Sequence, residues 1–143
     1  MNLVVDASVL VGEVLRARGL LLLSSPTLTF FQPEHAAGET RHELRRRGLS
    51  MVRSGRATAE QVDTLLDHAL AFLDAQVIYV PATEYSAHEV EARQRIPRDP
   101  NDWPLVALAL QLGQAPILTL DGDFLGCGLP TWTPETLRLH LGL

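Results

Sequence analysis

The sequence predicts an α/β fold, a three-layer α/β/α sandwich built around a central parallel sheet. Short apolar segments rich in β-branched residues recur along the 143-residue chain, and segments with helical periodicity lie between them. Strands that alternate with helices in this way are typical of a parallel sheet covered by helices. The length and the 46% hydrophobic content predict a single domain over residues 1–143.

Four strands are predicted from short apolar runs bounded by polar or turn residues. The runs are "NLVV", "LTFFQP", "QVIYVP" and "APILTL". They are only four to six residues long, which suits strands buried within a parallel sheet. The predicted strands are 2–5, 28–33, 76–81 and 115–120.

Six helices are predicted from apolar periodicity together with start and stop signals. The second has Pro33 at its start, acids early, arginines late, and Gly48 as its expected C-cap. The third opens on a capping-box pattern, Thr58 with Gln61, and the fifth is expected to close at Gly113. The predicted helices are 7–18, 33–47, 58–75, 83–95, 102–112 and 133–141.

The composition narrows the chemistry that is available. All the basic residues are arginine, because the chain has no lysine, so lysine Schiff bases and P-loop lysines are excluded. The single cysteine, Cys127, cannot form an internal disulfide. The N-terminal segment lacks the basic region of a signal peptide, and no apolar run is long enough to span a membrane. We therefore expect a soluble cytoplasmic protein without membrane association.

Acidic residues recur at the expected carboxyl-terminal edge of the sheet. Asp6 follows the first strand, Asp121 follows the last predicted strand, and Asp123 comes two residues later. Asp102 opens the helix before that strand, and Glu39 lies near the start of another helix. In a parallel α/β layout the helix N-termini and the strand C-termini share one edge, where such folds bind ligands. We expect at least four carboxylates to meet there.

Clustered carboxylates repel one another unless protons or cations lie between them. Hard divalent cations with oxygen ligands, Mg²⁺ or Mn²⁺, are the usual solution, and they can activate water and orient a phosphodiester. The arginines that follow Glu39 would then offer contacts for phosphates. These candidate RNA-binding residues are Arg41, Arg45, Arg46 and Arg47.

Each of these residues also has a purely structural explanation. Asp99 and Asp102 could cap a helix, as could Asp6, while Asp121 could belong to an ordinary Asp-Gly turn. Glu39 alone would be taken for a solvated helix residue, and the arginine run for a solvated helix end. The coincidence of four positions favours the metal site. Three further residues are candidates to support the ligands from outside: Ser8, Asp99 and Thr119.

Four segments, taken in order, resemble the PIN domain family: "LVVDASVL", "PEHAAGETRHEL", "DPNDWPLVALAL" and "ILTLDGDF". The resemblance covers nearly the whole chain and is weakest between Met51 and Ala92. It implies a central parallel sheet, an acidic Mg²⁺ or Mn²⁺ site, and cleavage of RNA by a metal-activated water. Many small members are toxins similar to the VapC group, which implies an antitoxin protein and a homodimer as expected partners.

By position, the resemblance assigns the four catalytic and metal-binding acids to Asp6, Glu39, Asp102 and Asp121, with Asp123 as an adjacent metal ligand. Glu43 is the alternative to Glu39, one helical turn further from the sheet edge. The lead-in "LLLLSSPTLTFFQPE" and the pair Trp103–Pro104 depart from typical toxin members. These departures concern the toxin role more than the nuclease activity.

Two other classes of function compete with a metal-dependent endoribonuclease. A PIN-like module could keep the acids and bind RNA or protein without cleavage. A phospho-receiver domain also gathers acids around Mg²⁺ at strand ends, but it needs a lysine, which this chain lacks. The nuclease is the primary prediction.

Overall fold

Five parallel strands form the central sheet of the computed structural model, which describes residues 1–143. Along the sheet the order is β3-β2-β1-β4-β5, and every neighbouring pair is parallel. The first strand in sequence therefore lies at the centre. The strands are β1 Asn2–Val5, β2 Thr29–Pro33, β3 Val77–Val80, β4 Ile117–Leu118 and β5 Thr131–Trp132.

Helices cover both faces of this sheet, which confirms the predicted α/β class with a central parallel sheet. Two short 3-10 helices, Ser86–His88 and Gly122–Phe124, complete the regular structure. The α-helices are α1 Ala7–Val14, α2 Ala17–Leu23, α3 Ala36–Arg53, α4 Ala59–Gln76, α5 Ala82–Tyr85, α6 Glu89–Arg95, α7 Trp103–Gln111 and α8 Pro134–Leu141.

The side chains of β1 point alternately into two separate cores. Leu3 and Val5 pack with α1, α2, α3, α4 and α8 on one face, whereas Val4 packs with α5, α6 and α7 on the other. This alternation is the ordinary period of a strand, and it explains why Leu3, Val4 and Val5 are all fully buried. Helix α7, almost wholly apolar, forms the centre of the second core.

Two of the predicted helix starts are confirmed by capping hydrogen bonds. Thr58 and Gln61 form the expected capping box at the start of α4. Thr133 caps α8, whose first residue is Pro134. Gly113, with φ +74°, follows the end of α7 as predicted. These signals are local and depend on hydrogen bonds over three or four residues, which is why the sequence shows them.

The predicted helix 7–18 is wrong as a single element, because the chain breaks after Leu15 and α2 begins at Ala17. Helix α2 then packs closely against α1. A Cβ atom at Gly19 would collide with the backbone of Glu13, so this crossing requires glycine.

The predicted helix 33–47 begins later and continues further than expected. Pro33 is the last residue of β2, and α3 runs from Ala36 through Gly48 to Arg53. Gly48 is therefore not a C-cap. It is buried where α3 crosses α4, and a Cβ there would lie 2.6 Å from Cγ1 of Val62.

The remaining differences concern short elements. The predicted helix 83–95 is divided into α5, a 3-10 turn and α6, and the predicted strand 115–120 pairs only over Ile117–Leu118. Strand β5, at the edge of the sheet, was not predicted, because two residues carry no measurable periodicity. No helix combines the length and the apolar character needed to cross a membrane.

Candidate metal centre

Three aspartates converge where β4 ends and α7 begins. One carboxylate oxygen from each of Asp102, Asp121 and Asp123 lies within 4.8 Å of the others. Asp102 is the residue before α7, while Asp121 and Asp123 follow β4 around a short 3-10 turn. The carboxylate of Asp121 accepts a hydrogen bond from the backbone N–H of Asp123 at 2.9 Å, which fixes this turn. Parallel strand topology thus brings together acids that are about twenty residues apart in sequence.

Asp102 lies at the helix N-cap position but does not cap the helix. Its side chain makes no capping hydrogen bond, and its Oδ2 atom is buried without any hydrogen-bond partner. Burial, followed by the negative charges of Asp99, Asp121, Asp6 and Asp123, raises the pKa of Asp102 from 3.8 to about 6. A buried carboxylate oxygen without a donor is costly, and its environment lacks a positive charge that a cation would supply.

Asp6 is joined to this group through Thr119. The Thr119 hydroxyl donates to Oδ2 of Asp6 at 2.9 Å and accepts from the backbone N–H of Asp121 at 3.0 Å. Thr119 is buried, and the side chain of Asp6 makes no cap hydrogen bond to α1. One hydroxyl therefore couples the ends of β1 and β4 and orients the Asp6 carboxylate. The role of Thr119 in supporting the metal ligands stays a prediction.

The donor set suits a hard divalent cation. Carboxylate oxygens are the ligands that such ions prefer, and neither cysteine nor histidine belongs to the group. One positively charged side chain contacts this group. The exposed Arg98 places its Nη1 3.4 Å from Oδ1 of Asp123. This single exposed contact does not reach the buried Oδ2 of Asp102, which stays without a partner.

The chain matches the family model of the PIN domain over residues 4–142. The protein belongs to the PIN domain family. PIN domains are generally nucleases that act on RNA and depend on divalent metals, and the acidic group of this PIN domain is compatible with a metal site. A search of the curated proteins finds no match.

The structure does not bring Glu39 into the acidic group of this PIN domain. Glu39 is exposed in the first turn of α3 and does not contribute to the shifted pKa of Asp102. Glu43, one turn further along, forms an ion pair with Arg46 at 3.0 Å. The role of Glu39 as second acid, and its choice over Glu43, stay predictions.

Two of the supporting candidates differ in their surroundings. The Asp99 carboxylate accepts a hydrogen bond from the backbone N–H of Asn101 at 2.8 Å, and so stabilises the turn that leads into α7. Its charge also helps to raise the pKa of Asp102. Ser8 lies exposed in the first turn of α1. Asp99 thus acts in the turn and on the electrostatics of the site.

The arginine run on α3 leads away from the acids. With a rise of about 1.5 Å per residue, Arg45 lies about 9 Å along the helix axis beyond Glu39. Arg41 pairs with Asp74 at 3.3 Å, and Arg46 pairs with Glu43. Arg45 and Arg47 are exposed. Contacts of this run with RNA stay a prediction, and two of its four members already have carboxylate partners within the chain.

Sequence reasoning missed two features beside the acids. Arg98, which contacts Asp123, had no signal except its position four residues before Asp102. Trp103, partly buried, packs against the second core, and the guanidinium carbon of Arg93 lies 5.0 Å from the centre of its ring. The sequence signal for this aromatic contact is a tryptophan placed directly after Asp102, a candidate metal ligand.

Proposed function

We propose that this protein is an endoribonuclease that uses Mg²⁺ or Mn²⁺ to hydrolyse phosphodiester bonds in RNA. The observation that carries the proposal is the buried, unpartnered Oδ2 of Asp102 among four further aspartates, in a chain of the PIN family. A carboxylate left in this state is suited to ligating a cation and poorly suited to stabilising the fold.

In this proposal Asp102, Asp121 and Asp123 would hold the metal, with Asp6 beside them. A bound divalent cation would neutralise the carboxylate charge and make a water more nucleophilic toward the phosphorus. The protein contributes orientation. Thr119 fixes Asp6 through its hydroxyl, and the backbone N–H of Asp123 fixes Asp121. We propose Glu39, in the first turn of α3, as a further acid at this edge of the sheet.

The decisive experiment measures cleavage of pooled single-stranded RNA by wild-type protein and by Asp102→Asn, with Mg²⁺, Mn²⁺ or EDTA. We expect metal-dependent cleavage by the wild type and a loss of at least about 100-fold in Asp102→Asn, since a ligand and a charge are removed together. Cleavage that persists in EDTA, or that is undiminished in Asp102→Asn, would contradict the proposal.

A matched control is Asp63→Asn. Asp63 is exposed on α4, at the groove between α3 and α4, and does not contribute to the raised pKa of Asp102, so this variant makes the same change of charge outside the acidic group. We expect it to cleave RNA like the wild type. If the purified wild type binds Mn²⁺ and RNA yet cuts no RNA, the protein acts instead as a binding module.

The toxin role, the antitoxin partner and the homodimer are proposals that rest on the resemblance to VapC-like members. An apolar groove of about 580 Å³ between α3 and α4, which includes Leu44, Leu49 and Leu66, offers a surface for such a partner. Light scattering on the purified chain tests the homodimer. Growth arrest on expression of the wild type, but not of Asp102→Asn, tests the toxin role.

A further inference from the structure

An aromatic and cationic group forms around Trp103, the residue that follows Asp102 in the chain. Trp103, the first residue of α7, directly follows Asp102, so their Cα atoms are about 3.8 Å apart. The edge of Tyr85 packs against its indole, with centroids 6.0 Å apart and an interplanar angle of 62°. The guanidinium carbon of Arg93 lies 5.0 Å from the indole centroid. The three side chains come from three different elements, α5, α6 and α7.

This group has a buried end and an open end. Tyr85 is 2% exposed, and its hydroxyl contacts Nδ1 of His35 at 3.5 Å. Trp103 is partly exposed, and the Arg93 side chain is 48% exposed. Tyr85 and the second core therefore support the indole, while the guanidinium and the exposed part of the indole face solvent.

Arg93 is held in place without being fully occupied. One of its terminal nitrogens lies 3.4 Å from Oε1 of Glu89, one turn earlier on α6. An exposed pair at this spacing is weak and leaves the other guanidinium N–H groups free. The guanidinium over the indole is thus a positively charged group beside the residue that follows Asp102.

We propose that Trp103 and Arg93 form a nucleobase subsite, in which one base of single-stranded RNA stacks beside the acidic cluster. The inference rests on the proposed function, because it names the form of RNA that the same site accepts. Aromatic faces and arginine planes are the surfaces on which unpaired bases stack, and a base inside a duplex is not available for such contact. The subsite would hold the strand at a fixed distance from the carboxylates.

Charge supports this assignment. The protein has a formal net charge of −5, and four aspartates surround the cleavage site, so an approaching phosphodiester is repelled. Stacking is an attraction that does not depend on net charge, and Arg93 adds a positive group at the same place. A base bound there gives the strand a second point of attachment besides the metal.

The test uses the fact that the chain has only two tryptophans. In the double variant Asp102→Asn, Trp132→Phe, Trp103 is the sole tryptophan and cleavage is suppressed. We expect single-stranded oligoribonucleotides to quench its fluorescence saturably. An abasic ribose-phosphate strand of the same length and charge should not quench it, and neither should an RNA duplex. Equal quenching by the abasic strand, or none by any RNA, would overturn the subsite.

Binding by fluorescence anisotropy gives an independent measurement. Arg93→Lys keeps the charge and removes the guanidinium plane, so we expect weaker binding of single-stranded RNA by about 5- to 140-fold. Trp103→Phe keeps a smaller aromatic face, so its affinity for single-stranded RNA should lie between that of the wild type and that of Arg93→Lys. Arg18→Lys, an exposed arginine on α2, is the matched control and should bind normally. Lower thermal stability in Arg93→Lys and Trp103→Phe with unchanged affinity would show a purely structural role and overturn the proposal.

The outcomes separate the two proposals. If the wild type cuts RNA but Trp103 is not quenched by bases, the nuclease stands and the subsite is wrong. If Trp103 is quenched by single-stranded RNA but nothing is cut with any metal, the subsite stands and the nuclease is wrong.

Discussion

Asp102 is held in a state that is unfavourable for the metal-free protein. Its Oδ2 is buried without a donor, and four neighbouring aspartates face it with the same charge. Both features favour the protonated acid, which is why its pKa rises to about 6. A group whose pKa is higher in the folded than in the unfolded chain stabilises the fold at low pH and loses that contribution as the pH rises.

The raised pKa of Asp102 makes the free energy of unfolding depend on pH. Between pH 4 and pH 6 the unfolded chain releases the Asp102 proton before the folded chain does, so folding becomes less favourable as the pH increases. Asp102→Asn lacks this titration. At pH 7.5 in EDTA we expect it to be more stable than the wild type by about 1–2 kcal/mol, with the full linkage value reduced by exposure to water.

Urea unfolding of both proteins at pH 4.0, 6.0 and 7.5 measures this difference. The advantage of Asp102→Asn should be small at pH 4.0 and should reach its full size above pH 6. A difference that does not change with pH would show that the burial and the charges do not act on this carboxyl as described. Asp63→Asn again serves as the control for a simple change of net charge.

At the scale of elements, the sequence predicted what local signals determine. The strand ends located Asp6 and Asp121 because an apolar run stops at each of them, and the parallel layout placed Asp102 with them. Tertiary packing determines the rest. The break before α2 depends on the close approach of Gly19 to Glu13, and β5 exists only because β4 pairs with it. Glu39 shows the same limit. Its position near the start of a helix is a local feature, whereas its distance from the aspartates depends on how α3 packs against the sheet.

Gly48 and Gly38 provide a test of packing within one helix. Both lie in α3, but a Cβ at Gly48 would meet Cγ1 of Val62 at 2.6 Å, whereas a Cβ at Gly38 meets nothing within 4 Å. We expect Gly38→Ala to stabilise the protein by about 0.5–1 kcal/mol through helix propensity. We expect Gly48→Ala to destabilise it by about 1–3 kcal/mol, because α3 and α4 must move apart.

Chemical denaturation of the two alanine variants decides between packing and propensity. The double variant Gly48→Ala, Val62→Ala removes the obstructing methyl group and should recover part of the loss caused by Gly48→Ala, relative to Val62→Ala alone. If Gly48→Ala stabilises the protein as much as Gly38→Ala, the close contact between α3 and α4 does not exist in solution.

The whole molecule is a parallel sheet between two apolar cores, with aspartates clustered at the carboxyl-terminal edge of the sheet. Two apolar cores cover the two faces of the sheet, and Asp6 directly follows β1 at its centre. The aspartates therefore gather where the buried strands β1 and β4 end, and the burial of these strands opposes the mutual repulsion of the carboxylates. Such a sheet can hold like charges close together without a cation, at reduced stability, and a cation should restore what is lost.

The last prediction is that divalent metal stabilises the fold and that this effect requires Asp102. A ligand that binds only the folded state at 100 times its dissociation constant adds about 2.7 kcal/mol, which for a domain of this size raises the melting temperature by about 5–10 °C. We expect Mn²⁺ to produce such a shift in the wild type at pH 7.5. The shift should be smaller at pH 5, where protons compete for Asp102. In Asp102→Asn it should be lost, and Asp63→Asn should retain it.

Differential scanning calorimetry at constant ionic strength measures all four cases, and because it needs no RNA substrate it tests the metal site separately from cleavage. An equal shift in Asp102→Asn would mean that the cation binds elsewhere on the acidic surface, and the buried Oδ2 would then need another partner.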